Sequence, residues 1–219
     1  MLFDLRGRRR RAVQATYLTL ALLMGGGLVL FGVGGNVGGG LFDAFKGGGG
    51  GGGNDLVKKR IERNEKRAAA GSVAALKELV RDHYQLASDE AGSGAQSFPD
   101  KAKPELSKAG AAWQRYLAKT DKPDPSLATV AVRVYDFSAL NKPKDAKQAA
   151  SIVAEASHDA QAYLQLEQYA VAAGDTRTAQ LAAGKAVELA PRGQKKQVKQ
   201  LTEQIKKLRS GGGTQQPGG

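Results

Sequence analysis

The chain has 219 residues, no cysteine and a formal net charge of +12. Disulfides, thiol catalysis and thiolate metal sites are thereby excluded. The charge sits at two ends: residues 1–53 carry six basic and two acidic residues, and Arg192 to Arg209 carries seven basic residues against Glu203 alone. With a nearly balanced middle, that distribution argues against a broad nucleic-acid-binding face.

Near the start stands "RGRRRRAVQATYLTLALLMGGG", in which Arg6, Arg8, Arg9, Arg10 and Arg11 run into 31 uncharged positions from Ala12 to Phe42. A helix of about 20 apolar residues spans a hydrocarbon core, whereas a signal peptide has a shorter apolar region and a small-residue cleavage site. No A-x-A pattern follows, so residues 12–37 are expected to be a retained transmembrane helix, with a cleaved signal as the alternative. Arginines before the segment place residues 1–11 in the cytoplasm and the bulk of the chain outside it, as a single-pass cell-membrane protein. Gly25, Gly32 and Gly39 recur at seven and offer a small-residue face for helix–helix contact; the plainer reading is that glycine-rich composition simply continues into the linker.

Residues 38–53 read as a glycine-rich linker ending in seven consecutive glycines. It is no phosphate loop, because no strand precedes it and no Gly-Lys-Ser/Thr follows. As a flexible tether those seven glycines span about 15 Å.

From residue 54 to 209 the apolar period is helical throughout, which predicts an all-α domain. "NDLVKKRIERNEKRAAAG" starts on an Asn/Asp cap and carries a thin stripe of Leu56, Val57 and Ile61. Val73, Leu76, Val80 and Tyr84 share the next face, with Leu79 and Leu86 beside it. After the loop "GSGAQSFPDKAKP" come Leu106, Ala109, Trp113, Tyr116 and Leu117 at three-four spacing. Pro125 suits the first turn of a helix carrying Leu127, Val130, Val134 and Phe137. "NKPKD" then leads to a helix with Ala146, Ala149, Val153 and Ala156. The β-branched "TVAVRVYDF" has helical neighbours on both sides and no strand partner, so it too is read as helix.

"AQAYLQLEQYAVAAGDTRTAQLAAGKAVELAP", residues 160–191, resembles a tetratricopeptide repeat (TPR). Tyr163 stands where the repeat has tryptophan, Leu166 matches its leucine, and Gly174-Asp175 matches the interhelical turn. Ala179 and Ala186 match the two alanines that let the paired helices close, and Pro191 matches the terminal proline. Glu167, Ala170 and Ala183 depart from the repeat's small residue and two aromatics. Two earlier helix pairs match less well. Together they imply a TPR-like array of antiparallel hairpins, since several repeats must share a core.

The last helix places Val198, Leu201, Ile205 and Leu208 on one stripe and lysines elsewhere. It is expected to cap the final hairpin; the alternative is a helix for anionic lipid or nucleic acid. Residues 210–219 read as a disordered tail.

No catalytic constellation, cofactor motif or metal-ligand spacing is evident. His83 and His158 lie on different segments without an obvious paired carboxylate, so an enzyme is not expected. In TPR arrays the concave face takes extended peptides, which the resemblance transfers to Gln161, Leu164, Gln165 and Gln168. Neutral side chains do not support a carboxylate clamp, although glutamines both donate to and accept from a peptide backbone. A merely solvated helix face is the plain alternative.

The order of basic terminus, single span and outer TPR-like domain resembles the ancillary TPR subunit of bacterial Sec translocons. That resemblance implies contact with the translocon or secreted chains. The glycine tether departs from it, and a structural scaffold for an envelope or division complex is the different-class alternative. A third is an enzyme subunit whose catalysis belongs to a partner.

Overall fold

A computed structural model of the protein describes residues 53–211. The five N-terminal arginines, the 12–37 segment with Gly25 and Gly32, the linker through residue 52 and the tail from residue 212 lie outside the described residues. Every α or 3-10 element among the described residues is helical, with no strand. No described helix is long and apolar enough to cross a membrane.

The helices are α1 (Gly53–Ala69), α2 (Val73–Ala91), α3 (Lys103–Leu117), α4 (Pro125–Tyr135), α5 (Pro143–Ser157), α6 (Ala160–Ala172), α7 (Thr176–Leu189) and α8 (Lys195–Gly211). Short acidic or hydroxyl caps start four of them. The Ser72 hydroxyl accepts from the amide of Ala75, and Asp124, Asp159 and Asp175 accept from amides in the first turns of α4, α6 and α7. Pro125 at the first position of α4 lacks the amide that would have no partner there.

Each helix packs on its successor within the pairs α2–α3, α4–α5 and α6–α7, while α1 lies on α2 and α5 lies on α6. Helix α4 touches both members of the pair before it, and α8 repeats that relation with α6 and α7. The final helix therefore takes the place that the first helix of a further pair would occupy.

The core runs continuously from Ala68 to Ala182, around the fully buried Trp113, Leu76, Leu79, Leu106 and Leu127. Between these large residues, alanines such as Ala109, Ala131, Ala149 and Ala150 let helix axes approach closely. A close approach falls at Gly110, whose carbonyl accepts from Tyr135 Oη at 2.9 Å. A Cβ at Gly110 would stand 3.0 Å from that ring, so the α3–α4 contact needs glycine for space rather than for conformation. A second, smaller cluster of Ala186, Ala190 and Val198 joins α7 to α8, with Tyr163 packed against both clusters.

Three expectations are corrected. Helix α4 stops at Tyr135, so Phe137 lies in a loop and is 43% exposed. Asp136 ends the helix by turning extended and accepting from Ser138 N and Oγ through its own carboxylate. In α5 the buried position is Ala154 and Ala156 is exposed, because α5 is sandwiched along Ala146, Ala149, Ala150 and Ala154. In α1, Val57 is buried and Leu56 is 68% exposed: one position along a helix turns a side chain by about 100°.

Candidate protein-binding face

The α6–α7 hairpin is built from local signals. Gly174 adopts φ 76°, a left-handed turn that a side chain would strain. Asp175 then caps α7, accepting from Thr178 N and Oγ1, and it also accepts from Lys147 Nζ at 2.6 Å. The Lys147 ammonium, helped by Thr178, holds the Asp175 carboxyl well below the usual carboxylate range. Leu166, Ala179 and Ala186 are buried, Tyr163 is half-buried, and Pro191 follows α7 in the turn that opens onto α8.

Of the four residues singled out on α6, all are half-buried, but they do not act alike. Leu164 packs against the Ala186, Ala190 and Val198 cluster, towards α7 and α8. Gln165 lies near enough to the Tyr169 hydroxyl to act on its proton. That hydroxyl donates to Asp136 Oδ2 at 2.6 Å, and burial followed by Asp136 pushes the Tyr169 phenol far up. Gln161 and Gln168 flank this arrangement on the same helix.

The structure adds Phe137 to the face. Its ring lies 5.3 Å from that of Tyr169, tilted by 32°. Sequence periodicity missed this because Phe137 belongs to no helix; the cue was Asp136, a turn-forming residue directly before it. The same loop ties the first two pairs together, since Phe98 N donates to Ser138 O at 2.9 Å. A cavity of about 220 Å³ opens beside it, lined by Tyr84, Ser88, Gln96, Phe98 and Ser138 among others. The resulting edge offers amide and aromatic groups around one loop that fixes neighbouring helix pairs.

His83 differs from expectation in having a carboxylate partner, whereas His158 stands at a helix end as its place at a junction of the sequence suggests. His83 is 4% exposed and its Nδ1 lies 2.6 Å from Glu105 Oε2, joining α2 to α3. Glu105 also accepts from Lys108, and these partners hold its carboxyl below the usual range against the opposing effect of burial. His158 takes a left-handed conformation (φ 52°) at the end of α5, its amide donating to Ala154 O, and so terminates that helix.

One acid on α6 has no such support. Glu167 is 1% exposed and its Oε2 has no hydrogen-bond partner among the described residues. Burial pushes its carboxyl up to about 8, with Lys206 of α8 acting to lower it and Glu203 to raise it. The charged residues whose influence it feels therefore come from the helix lying over it.

No protein-family model, curated protein or solved structure matches the chain.

Proposed function

We propose that the protein is a non-catalytic, single-pass membrane protein whose outer TPR-like array binds extended, largely uncharged polypeptide segments, near the translocon in the manner its resemblance implies. The observation carrying this reading is the row of half-buried Gln161, Gln165 and Gln168 on α6, the helix whose Tyr169 ring meets the exposed Phe137. Amides can satisfy the backbone groups of an extended segment, and an exposed aromatic takes its side chains without selecting charge. Stacked helix pairs joined through hairpin loops suit such recognition, because the segment meets one helix per pair. Binding is weak, since ordering a flexible segment costs entropy and no charged anchor offsets it.

The scaffold reading is favoured by a different observation, the exposed Leu181 (64%) and Leu189 (37%) on α7. Crosslinking in membranes, through probes on α6 and separately on α7, distinguishes the two. Nascent secreted chains and translocon components captured from α6 support the first; one fixed envelope complex captured from α7 replaces it. In a purified system, changing Gln161, Gln165 and Gln168 together to alanine should weaken binding of unfolded secretory peptides at least several-fold with helicity unchanged. Parent binding should differ little between low and high salt, and strong salt sensitivity would refute the neutral face.

A further inference from the structure

The two helices that end the stack offer an internal comparison. Helix α1 mixes six basic residues with Asp55, Glu62 and Glu65, and pairs across to its neighbours through Arg60–Asp82 and Glu65–Arg115. Solubility of an end helix is met by such a mixture. Helix α8 is different. Between 195 and 207 it carries five lysines and one acid, and all five lysines are exposed. Lys206 pairs weakly with Glu203 at 3.4 Å, and Lys195 acts on Glu188. Among the described residues no ion pair involves Lys196, Lys199 or Lys207.

At about 100° per residue, these lysines occupy roughly a third of the helix circumference. Val198, Leu201, Thr202 and Ile205 occupy another part, buried or half-buried, and α8 packs on α6 and α7. The cations are thus mounted on a docked helix as a line about 18 Å long.

We infer that this lysine arc is a peripheral contact for an anionic lipid surface. A row of lysines attracts a flat, diffuse layer of negative headgroups without needing the fork geometry that arginine provides. No aromatic side chain stands on α8 to stack on a base, which makes a nucleic-acid strand the poorer fit. The described apolar residues Val198, Leu201 and Ile205 are engaged with the stack, so the helix rests on headgroups rather than inserting. Its contact is therefore released by salt, unlike that of an interfacial amphipathic helix. The inference rests on the proposed anchor only for bringing the bilayer within reach.

The test uses the full chain in vesicles and exploits its lack of cysteine. A donor dye at Gln200→Cys reports energy transfer to headgroup-labelled lipid; a control dye sits at Glu62→Cys on α1. Vesicles are phosphatidylcholine alone, or with roughly one phosphatidylglycerol in three lipids. Transfer from position 200 should rise several-fold only in the anionic vesicles, fall to the neutral level in about 0.5 M salt, and vanish in Lys196→Glu/Lys199→Glu/Lys207→Glu. Transfer from position 62 should not change with lipid charge. Equal transfer from position 200 in both lipids, or transfer that survives salt or the triple reversal, overturns the inference. So does lysine-dependent retention of a short duplex DNA with equal transfer in both lipids, which would mark a nucleic-acid surface. A chain that fails to float with neutral vesicles refutes the anchor instead, a separate failure.

Discussion

The two ends of the stack are closed by opposite means. At the N-terminal end, Arg60 of α1 donates through Nε and Nη2 to Asp82 of α2, a carboxylate only 1% exposed. The carboxylate prevails in this pairing and keeps the Arg60 guanidinium firmly charged against its partial burial. At the C-terminal end, α8 covers Glu167, a carboxyl equally buried, whose Oε2 has no partner among the described residues. A buried acid with a bidentate cation fastens a helix; one without a partner weakens whatever covers it. The comparison teaches that the helix opening the stack is latched by an ion pair, whereas the last helix, among the described residues, is held by apolar contacts with no ion pair to α6 or α7.

The latch carries a large expected effect. Arg60→Met should strand Asp82 and cost about 3 kcal/mol in denaturant unfolding, because an uncompensated buried charge is far worse than no pair. Arg60→Met with Asp82→Leu should recover most of that loss, since replacing both partners by apolar groups removes the stranded charge. If the single change proves neutral, the pair is solvated in solution and the contrast between the two ends collapses.

A smaller loss is expected where α8 docks. Leu201→Asp or Ile205→Asp should each cost about 1–2 kcal/mol, because both side chains are half-buried against the stack. Deleting residues 192–219 should lower the thermal midpoint while preserving the helicity of α1 to α7, since the main core ends at Ala182. Unchanged melting in all three variants would mean that α8 is undocked in solution.

What could be read in advance follows from the range of the signals. The α6–α7 hairpin was legible because Gly174, Asp175 and Pro191 act within a few residues of themselves. The all-helical character was legible for the same reason, as the three-four spacing of Leu106, Ala109, Trp113 and Tyr116 repeats locally. The ion pairs were not. Arg60 and Asp82 are 22 residues apart, as are His83 and Glu105, and no periodicity links residues brought together across a helix pair. On the candidate face, the glutamines were named, but Phe137 was assigned to a helix that Asp136 had already ended. Glu167 was noted only as a departure from a small residue; its meaning depends on α8, which starts 28 positions later.

The most diagnostic effect, absent at low pH and growing only as pH rises, concerns that acid. Its ordinary carboxyl value of 4.5 is pushed up to about 8 in the folded state, chiefly by burial. Between those two values the folded chain holds a proton that the unfolded chain releases. By linkage, the contribution of Glu167 to stability is fully present below about 4.5 and is lost as pH rises towards about 8. Opposing charges act from α8 itself, Lys206 favouring the ionised form and Glu203 disfavouring it. On the other two helices packed against α6, Lys147 of α5 is engaged with Asp175, and Lys185 of α7 with Glu188 at the surface. Glu167→Gln keeps the shape and cannot ionise. Its thermal midpoint should lie closest to the parent's near pH 4.5 and exceed it progressively up to pH 8, where a proton held by the folded chain alone is worth up to about 4 kcal/mol. If ionisation acts by loosening α8, the gap should disappear in the background of the 192–219 deletion. Parent and variant melting curves that stay parallel from pH 5 to pH 8.5 would show that Glu167 reaches solvent, and that the two ends of the stack differ less than their geometry implies.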